Sequence, residues 1–152
     1  MIEANFWSAV DELINNSTIV IDRPKDSAHP RYPHCIYPVD YGYLSNTASM
    51  DGSGIDVWDG SSGDCCANAI ICTVDLLKRD SEIKLLIGCT DAEKQHILEF
   101  HNDSEYMKGI LIERKVLFKC PGYSFPSQLH FCGAPQNSFT KKVPVLTKST
   151  PT

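Results

Sequence analysis

Asp51 and Asp56 flank the loop Gly52-Ser53-Gly54-Ile55 inside the stretch MDGSGIDVWDG. One carboxylate ends a turn, and the other opens a short strand read from Ile55 to Trp58, so both can aim at one point. Hard cations such as magnesium take carboxylate and water oxygens, and substrate phosphates complete their shell. The same spacing also suits a plain Asp-Gly turn followed by a solvated strand start. The residues by themselves leave both readings open.

A second group is Asp80, Glu82 and Lys84, spaced by two. On a strand these three share one face, which can either hold metal and phosphate or form an ordinary charged hairpin surface. RYPHCIYPVDYGYL concentrates Arg31, Tyr32, Tyr37, Tyr41 and Tyr43. A guanidinium fork and phenolic hydroxyls suit phosphate oxygens, whereas aromatics this dense also serve core and turn packing. Lys25, just upstream, adds a cation either to the same site or to the solvated surface. No phosphate-binding glycine loop, nucleophile elbow or H-E-x-x-H is present, and His29, His34, His96, His101 and His130 have no ligand spacing.

The elements that must position these groups follow from pattern. The 152 residues suit one domain with its own core, and 42% hydrophobic content is ordinary for a globular chain. Phe6, Val10, Leu13 and Ile14 predict a short amphipathic helix ended by Asn-Asn-Ser. STIVID reads as a strand, and the proline-rich RPKDSAHPRYP as a loop. ANAIICTVDLLKRD and SEIKLLIGC read as paired strands with a bend at Lys-Arg-Asp-Ser, placing Cys72 and Cys89 in the core. TDAEKQHILEFHN predicts a helix with Ile97, Leu98 and His101 inward, and Gly109–Phe118 one more strand. Strands that outnumber helices and follow one another as hairpins predict a small mixed barrel.

Nineteen acids against fourteen basic residues give a formal charge of -5, which offers no global grip on nucleic-acid phosphates. The opening MIEANFWSAV lacks a signal-peptide pattern and no apolar run reaches membrane length, so the expectation is a soluble cytoplasmic protein with no membrane partner. Seven cysteines without a C-x-x-C pair read as reduced thiols and not as a zinc site. Residues 117–152 contain four lysines and no acid, leaving 10 basic against 19 acidic residues, or -9, in the first 116. The expected division is a domain over 1–116 and a tail over 117–152. That tail is disordered, laid over the acidic body, or an added segment.

Together these segments resemble the soluble inorganic pyrophosphatases, the magnesium-dependent family built on a small OB-like barrel. IYPVDYGYL resembles that family's Tyr-Pro-x-x-Tyr-Gly segment, DGSGIDVW its Asp-Gly-Asp-x-x-Asp signature, and KRDSEIKLL its later acid-x-acid-x-Lys region. The match runs in the family's order from Ser17 to Leu86. It implies an α+β fold, a small mostly antiparallel OB-like β-barrel with flanking helices. It implies Mg2+ as cofactor, with Asp51, Asp56, Asp80 and Glu82 as its ligands. Arg31, Tyr41 and Lys84 would hold phosphate and act with Asp56 in catalysis, Tyr37 would support them, and inorganic pyrophosphate would be the substrate. Related enzymes are often oligomeric, so the resemblance allows a homo-oligomer.

Ser53 stands where the signature has its middle aspartate, an acid that orders and deprotonates the attacking water. Losing a positioned general base costs typically about 100- to 10,000-fold in rate. Thr18 and Val20 fall where many members have Lys and Glu, and only Tyr106 and Lys108 stand for a later Tyr-Lys pair. The chain is therefore expected to be a slow magnesium-dependent diphosphatase, or else a non-catalytic module, derived from one, that binds diphosphate or nucleotide phosphates.

Overall fold

The computed structural model describes residues 2–49 and 51–115. The expected tail and the last residues of the expected final strand lie outside them. The elements are α1 (Ile2–Asn15), β1 (Ile19–Arg23), β2 (Asp40–Leu44), β3 (Ile55–Asp59), β4 (Ala67–Asp75), β5 (Asp80–Ile87), α2 (Asp91–Asn102) and β6 (Met107–Glu113). The strands form one sheet in the order β1-β2-β3-β5-β4-β6. Only β3 and β5 run parallel; every other neighbour is antiparallel. This is the expected α+β class. No helix among the described residues is long and apolar enough to cross a membrane.

Side-chain alternation gives the sheet two unlike faces. Val57 of β3, Ile70 of β4, and Leu85 and Ile87 of β5 pack with Leu44 against Trp7, Val10 and Ile14 of α1. The inward stripe of α1 thus includes Trp7, while Phe6 and Leu13 are 41% and 44% exposed. Residues 7, 10 and 14 keep three-and-four spacing, and the large indole, not Phe6, takes the inner position. On the opposite face Tyr41, Trp58, Ala69, Ile71 and Leu86 pack with Ile97 of α2. Thr90 caps α2, its hydroxyl accepting from the Glu93 N–H while the Glu93 carboxylate accepts from the Thr90 N–H.

Three local outcomes differ from the sequence reading. β2 is a strand inside the tyrosine-rich motif, and its Gly42 is required because a Cβ there would strike the backbone carbonyl of Val20 on β1. The β4–β5 bend falls at Leu76–Arg79, two residues before Lys-Arg-Asp-Ser. Asp75 Oδ1 sets it by accepting from the N–H groups of Leu77 (2.8 Å) and Lys78 (3.0 Å), and Arg79 closes it at φ 60°. β6 begins at Met107, so Lys108 lies within the strand, its Nζ donating to the carbonyls of Asn102 and Ser104.

The proline-rich loop is held to itself. Asp26 N–H donates to the Tyr37 carbonyl, Tyr37 N–H to Ser27, and His29 N–H to Cys35, each at 2.8–2.9 Å. These bonds fix His29, Arg31 and Tyr32 at the loop tip without a regular element. Among the described residues, Cys35, Cys65, Cys66, Cys72 and Cys89 are not joined in disulfides. Cys89 is buried as expected, and burial pushes its thiol up to about 12, whereas Cys72 is half-buried at the edge of the α1-side core.

Candidate functional site

The face that carries α2 continues into a cleft of about 940 Å³. Register brings its floor together: Tyr43 pairs with Asp56 and Tyr41 with Trp58 across β2 and β3, and the parallel β3–β5 pairing sets β5 beside them. Asp56, Glu82 and Lys84 then point into one space.

Lys84 is the hub and is only 4% exposed. Its Nζ donates to Asp56 Oδ2 at 2.5 Å, to Glu82 Oε2 at 2.6 Å and to the Tyr41 hydroxyl at 3.3 Å. The Tyr41 hydroxyl donates in turn to Asp56 Oδ2 at 2.6 Å. Burial pulls the lysine pKa down, but the charges and hydrogen bonds of Asp56 and Glu82 outweigh it, so the pKa is raised and the ammonium persists. Burial first, and the Asp56 charge second, hold the Tyr41 phenol far above its usual range, so it remains a donor.

Asp51 sits on the exposed rim, where Oδ1 accepts from the Ser49 hydroxyl (2.7 Å) and the Ser53 N–H (2.9 Å). Those bonds lower its pKa. Ser53 therefore lies in the Asp51 turn and also lines the cleft. Tyr37, 2% exposed, stacks on Tyr41 with centroids 5.4 Å apart, which fixes the tyrosine in place. Arg31 reaches the cleft from the loop tip, its backbone N–H donating to His29 Nδ1. Asp80 is placed otherwise: it starts β5 opposite Asp75, is exposed, and is not among the residues lining the cleft. Thus Arg31, Tyr37, Tyr41, Asp51, Asp56, Glu82 and Lys84 share the cleft without Asp80. Tyr106 and Lys108 do not line it either.

The cleft also holds residues that the sequence reading passed over. Asp22 and Arg23 enter because β1 carries a bulge: Ile21 pairs with Gly42 and Arg23 with Tyr41, so two β1 residues oppose one. Asp75 and Lys78 come from the β4–β5 turn, and His29 from the loop. His101, on α2, accepts from the Trp58 indole N–H at Nε2 (3.2 Å), which leaves its proton on Nδ1, 3.3 Å from Met107 Sδ. Burial, and then the Lys84 charge, pull its pKa down to about 3, so it stands neutral.

The lining carries five carboxylates (Asp22, Asp51, Asp56, Asp75, Glu82) against four cations (Arg23, Arg31, Lys78, Lys84), one negative charge in excess. A polyanion entering such a cleft needs added positive charge. No three Asp, Glu, His or Cys side chains among the described residues form a cluster that could hold a metal ion. Magnesium, however, commonly uses one or two carboxylates and completes its shell with water and substrate phosphates. The hard-oxygen donors present fit magnesium in that role and not a protein-only cage.

The architecture defines the class first: an α+β protein with a site built on one face of its sheet. The chain is similar to the inorganic pyrophosphatase of Helicobacter pylori, with a TM-score of 0.50 and 16% identity over 66% of this chain and 86% of that one. An inorganic phosphatase from Anaplasma phagocytophilum matches with TM-score 0.43 and 15% identity over 62% of this chain and 82% of that one. An inorganic pyrophosphatase from Coxiella burnetii matches with TM-score 0.45 and 14% identity over 62% and 84%. No family model matches the chain, and no curated protein does. The likeness to the Helicobacter protein shows the fold, the OB-like α+β type expected above.

Proposed function

We propose that the cleft binds inorganic diphosphate and hydrolyses it slowly with magnesium. The observation that carries this reading is the floor of the cleft, where Lys84 joins Asp56, Glu82 and Tyr41 within hydrogen-bond distance. Cationic, phenolic and carboxylate groups converge there as phosphoryl transfer requires. Asp51, Asp56 and Glu82 would hold magnesium, which when bound supplies neutralising charge and Lewis acidity. Arg31, Tyr41 and Lys84 orient the phosphates, with Tyr41 donating as a neutral phenol and Lys84 as an ammonium. Tyr37 keeps Tyr41 in register by stacking. Water then attacks phosphorus in line and the second phosphate leaves. Ser53 can hydrogen-bond that water, but a hydroxyl does not take its proton at neutral pH, so the step is slow.

A second reading, a module that binds diphosphate or nucleotide phosphates without turnover, is favoured by two specific features. Lys84 already closes on both Asp56 and Glu82, and Ser53 replaces the acid that would activate water. Phosphate release from pyrophosphate, with and without magnesium and with Asp56→Asn alongside, separates the two. Release that needs magnesium and vanishes in Asp56→Asn supports hydrolysis. Folded protein that binds pyrophosphate and releases nothing supports the module.

A further inference from the structure

We propose that the cleft takes its diphosphate as one end of a larger molecule, a diphosphate monoester whose organic group lies on the apolar end of the cleft; the inference rests on the diphosphate reading and deepens it. The cleft measures about 940 Å³. Pockets of about 300–1,000 Å³ hold drug-sized ligands, so a bare diphosphate ion fills only part of this one. Strand order separates it into two ends. Asp56 on β3 neighbours Glu82 and Lys84 on β5, and Asp51 and Ser53 line the cleft just before β3. β4 and β6 lie beyond β5, where Asp75 pairs with Met107. From β3 to β6 is three strand spacings, about 14 Å, so a diphosphate held between Lys84 and the β3 carboxylates leaves the β4 and β6 side uncovered.

That uncovered side is where the apolar lining collects. Leu77 in the β4–β5 turn is 62% exposed, and Phe100 near the end of α2 and Met107 at the start of β6 are half-buried. All three line the cleft. Phe100 and Met107 are held in place, the phenyl ring centroid 5.2 Å from that of Tyr37 and the thioether sulfur 3.3 Å from His101 Nδ1. Tyr32, 44% exposed, lines the cleft from the proline-rich loop with its ring against His29, and the Lys78 charge acts on that histidine, so the loop tip stands beside the β4–β5 turn. A single exposed apolar side chain is ordinary, but apolar side chains from four separate segments that converge beside a charged floor form a patch for a ligand to cover. Isobutyl, phenyl and thioether groups offer area and no strong directed hydrogen bond, so they select a hydrocarbon chain or a flat ring. A prenyl chain and a nucleobase both carry that chemistry.

The test is calorimetric titration, in magnesium buffer, of pyrophosphate, methyl diphosphate, ADP and geranyl diphosphate into the full chain and its Leu77→Ser and Leu77→Met variants, with urea unfolding of each. Methyl diphosphate keeps the ester charge without an organic group large enough to reach the apolar end. Covering that end predicts that ADP or geranyl diphosphate binds at least about 10-fold tighter than methyl diphosphate, and whichever gains tells a nucleobase from a hydrocarbon chain. Leu77→Ser should remove about 10-fold from that ligand and leave pyrophosphate within about 3-fold, and Leu77→Met should keep the gain. Pyrophosphate that binds while neither organic ester exceeds methyl diphosphate overturns the inference and leaves the diphosphate reading standing; this comparison uses wild type alone. Leu77→Ser that weakens pyrophosphate as much as the ester, or leaves the ester unchanged, overturns it too. Folded wild type that binds none of the four overturns both the inference and the function it rests on.

Discussion

Replacing Lys84 by methionine removes the one cation that holds two carboxylates on the cleft floor. Its side chain is 5% exposed, against 30% for Asp56 and 20% for Glu82. Breaking a buried ion pair by deleting one partner costs about 3–5 kcal/mol, and the access of both carboxylates to water puts this case at the low end, about 3 kcal/mol. In EDTA, urea unfolding followed by tryptophan fluorescence should show that loss. Magnesium should then stabilise the variant more than wild type, because the carboxylates released by Lys84 become available to the ion. At 100 times its dissociation constant the ion returns about 2.7 kcal/mol. The raised pKa of Lys84 fixes the sign with pH: wild type keeps the contribution below the ordinary lysine value of about 10.4 and loses it as pH rises through the higher folded value. Equal midpoints for variant and wild type in EDTA, or equal magnesium stabilisation of both, would refute the reasoning.

Two further outcomes are expected. Ser53→Asp should raise phosphate release by about 100- to 10,000-fold if the missing general base limits the rate, and an unchanged rate would place the limit in the phosphate grip. His101 has a folded pKa of about 3 against about 6.5 unfolded, so the unfolded chain takes up the proton first and stability falls as pH drops below 6.5. Between pH 7 and pH 5 the loss from this residue is about 2 kcal/mol, and His101→Gln should remove most of that slope in urea midpoints.

Part of the candidate site could be read from period, because Glu82 and Lys84 share a face of β5. Tyr41 and Asp56 were joined to them only through the family resemblance, and the pairing of β2 with β3, which period did not reveal, is what brings them side by side. Asp80 obeys the same alternation, yet it stands at the end of the strand, where period says nothing about reach. Arg23 and Asp22 were hidden because a bulge breaks the very alternation used to read the others. Asp75 and Lys78 depended on where the bend falls, and that was set by an Asp75 side-chain turn with no Asn-Gly signal. Trp7 and His101 show the same limit in helices: the stripe is visible, but which large side chain takes the inner place, and what it bonds there, is decided by the opposing sheet.

The most direct test of the central claim is a crystal structure of the chain grown with magnesium and methylenediphosphonate, a diphosphate analogue that does not hydrolyse. The account predicts the phosphonates in the cleft, within hydrogen-bond distance of Arg31, Tyr41 and Lys84, with magnesium between them and at least one of Asp51, Asp56 and Glu82. The analogue bound elsewhere, or the cleft empty at a saturating concentration with Lys84 still closed on Asp56 and Glu82, would contradict it.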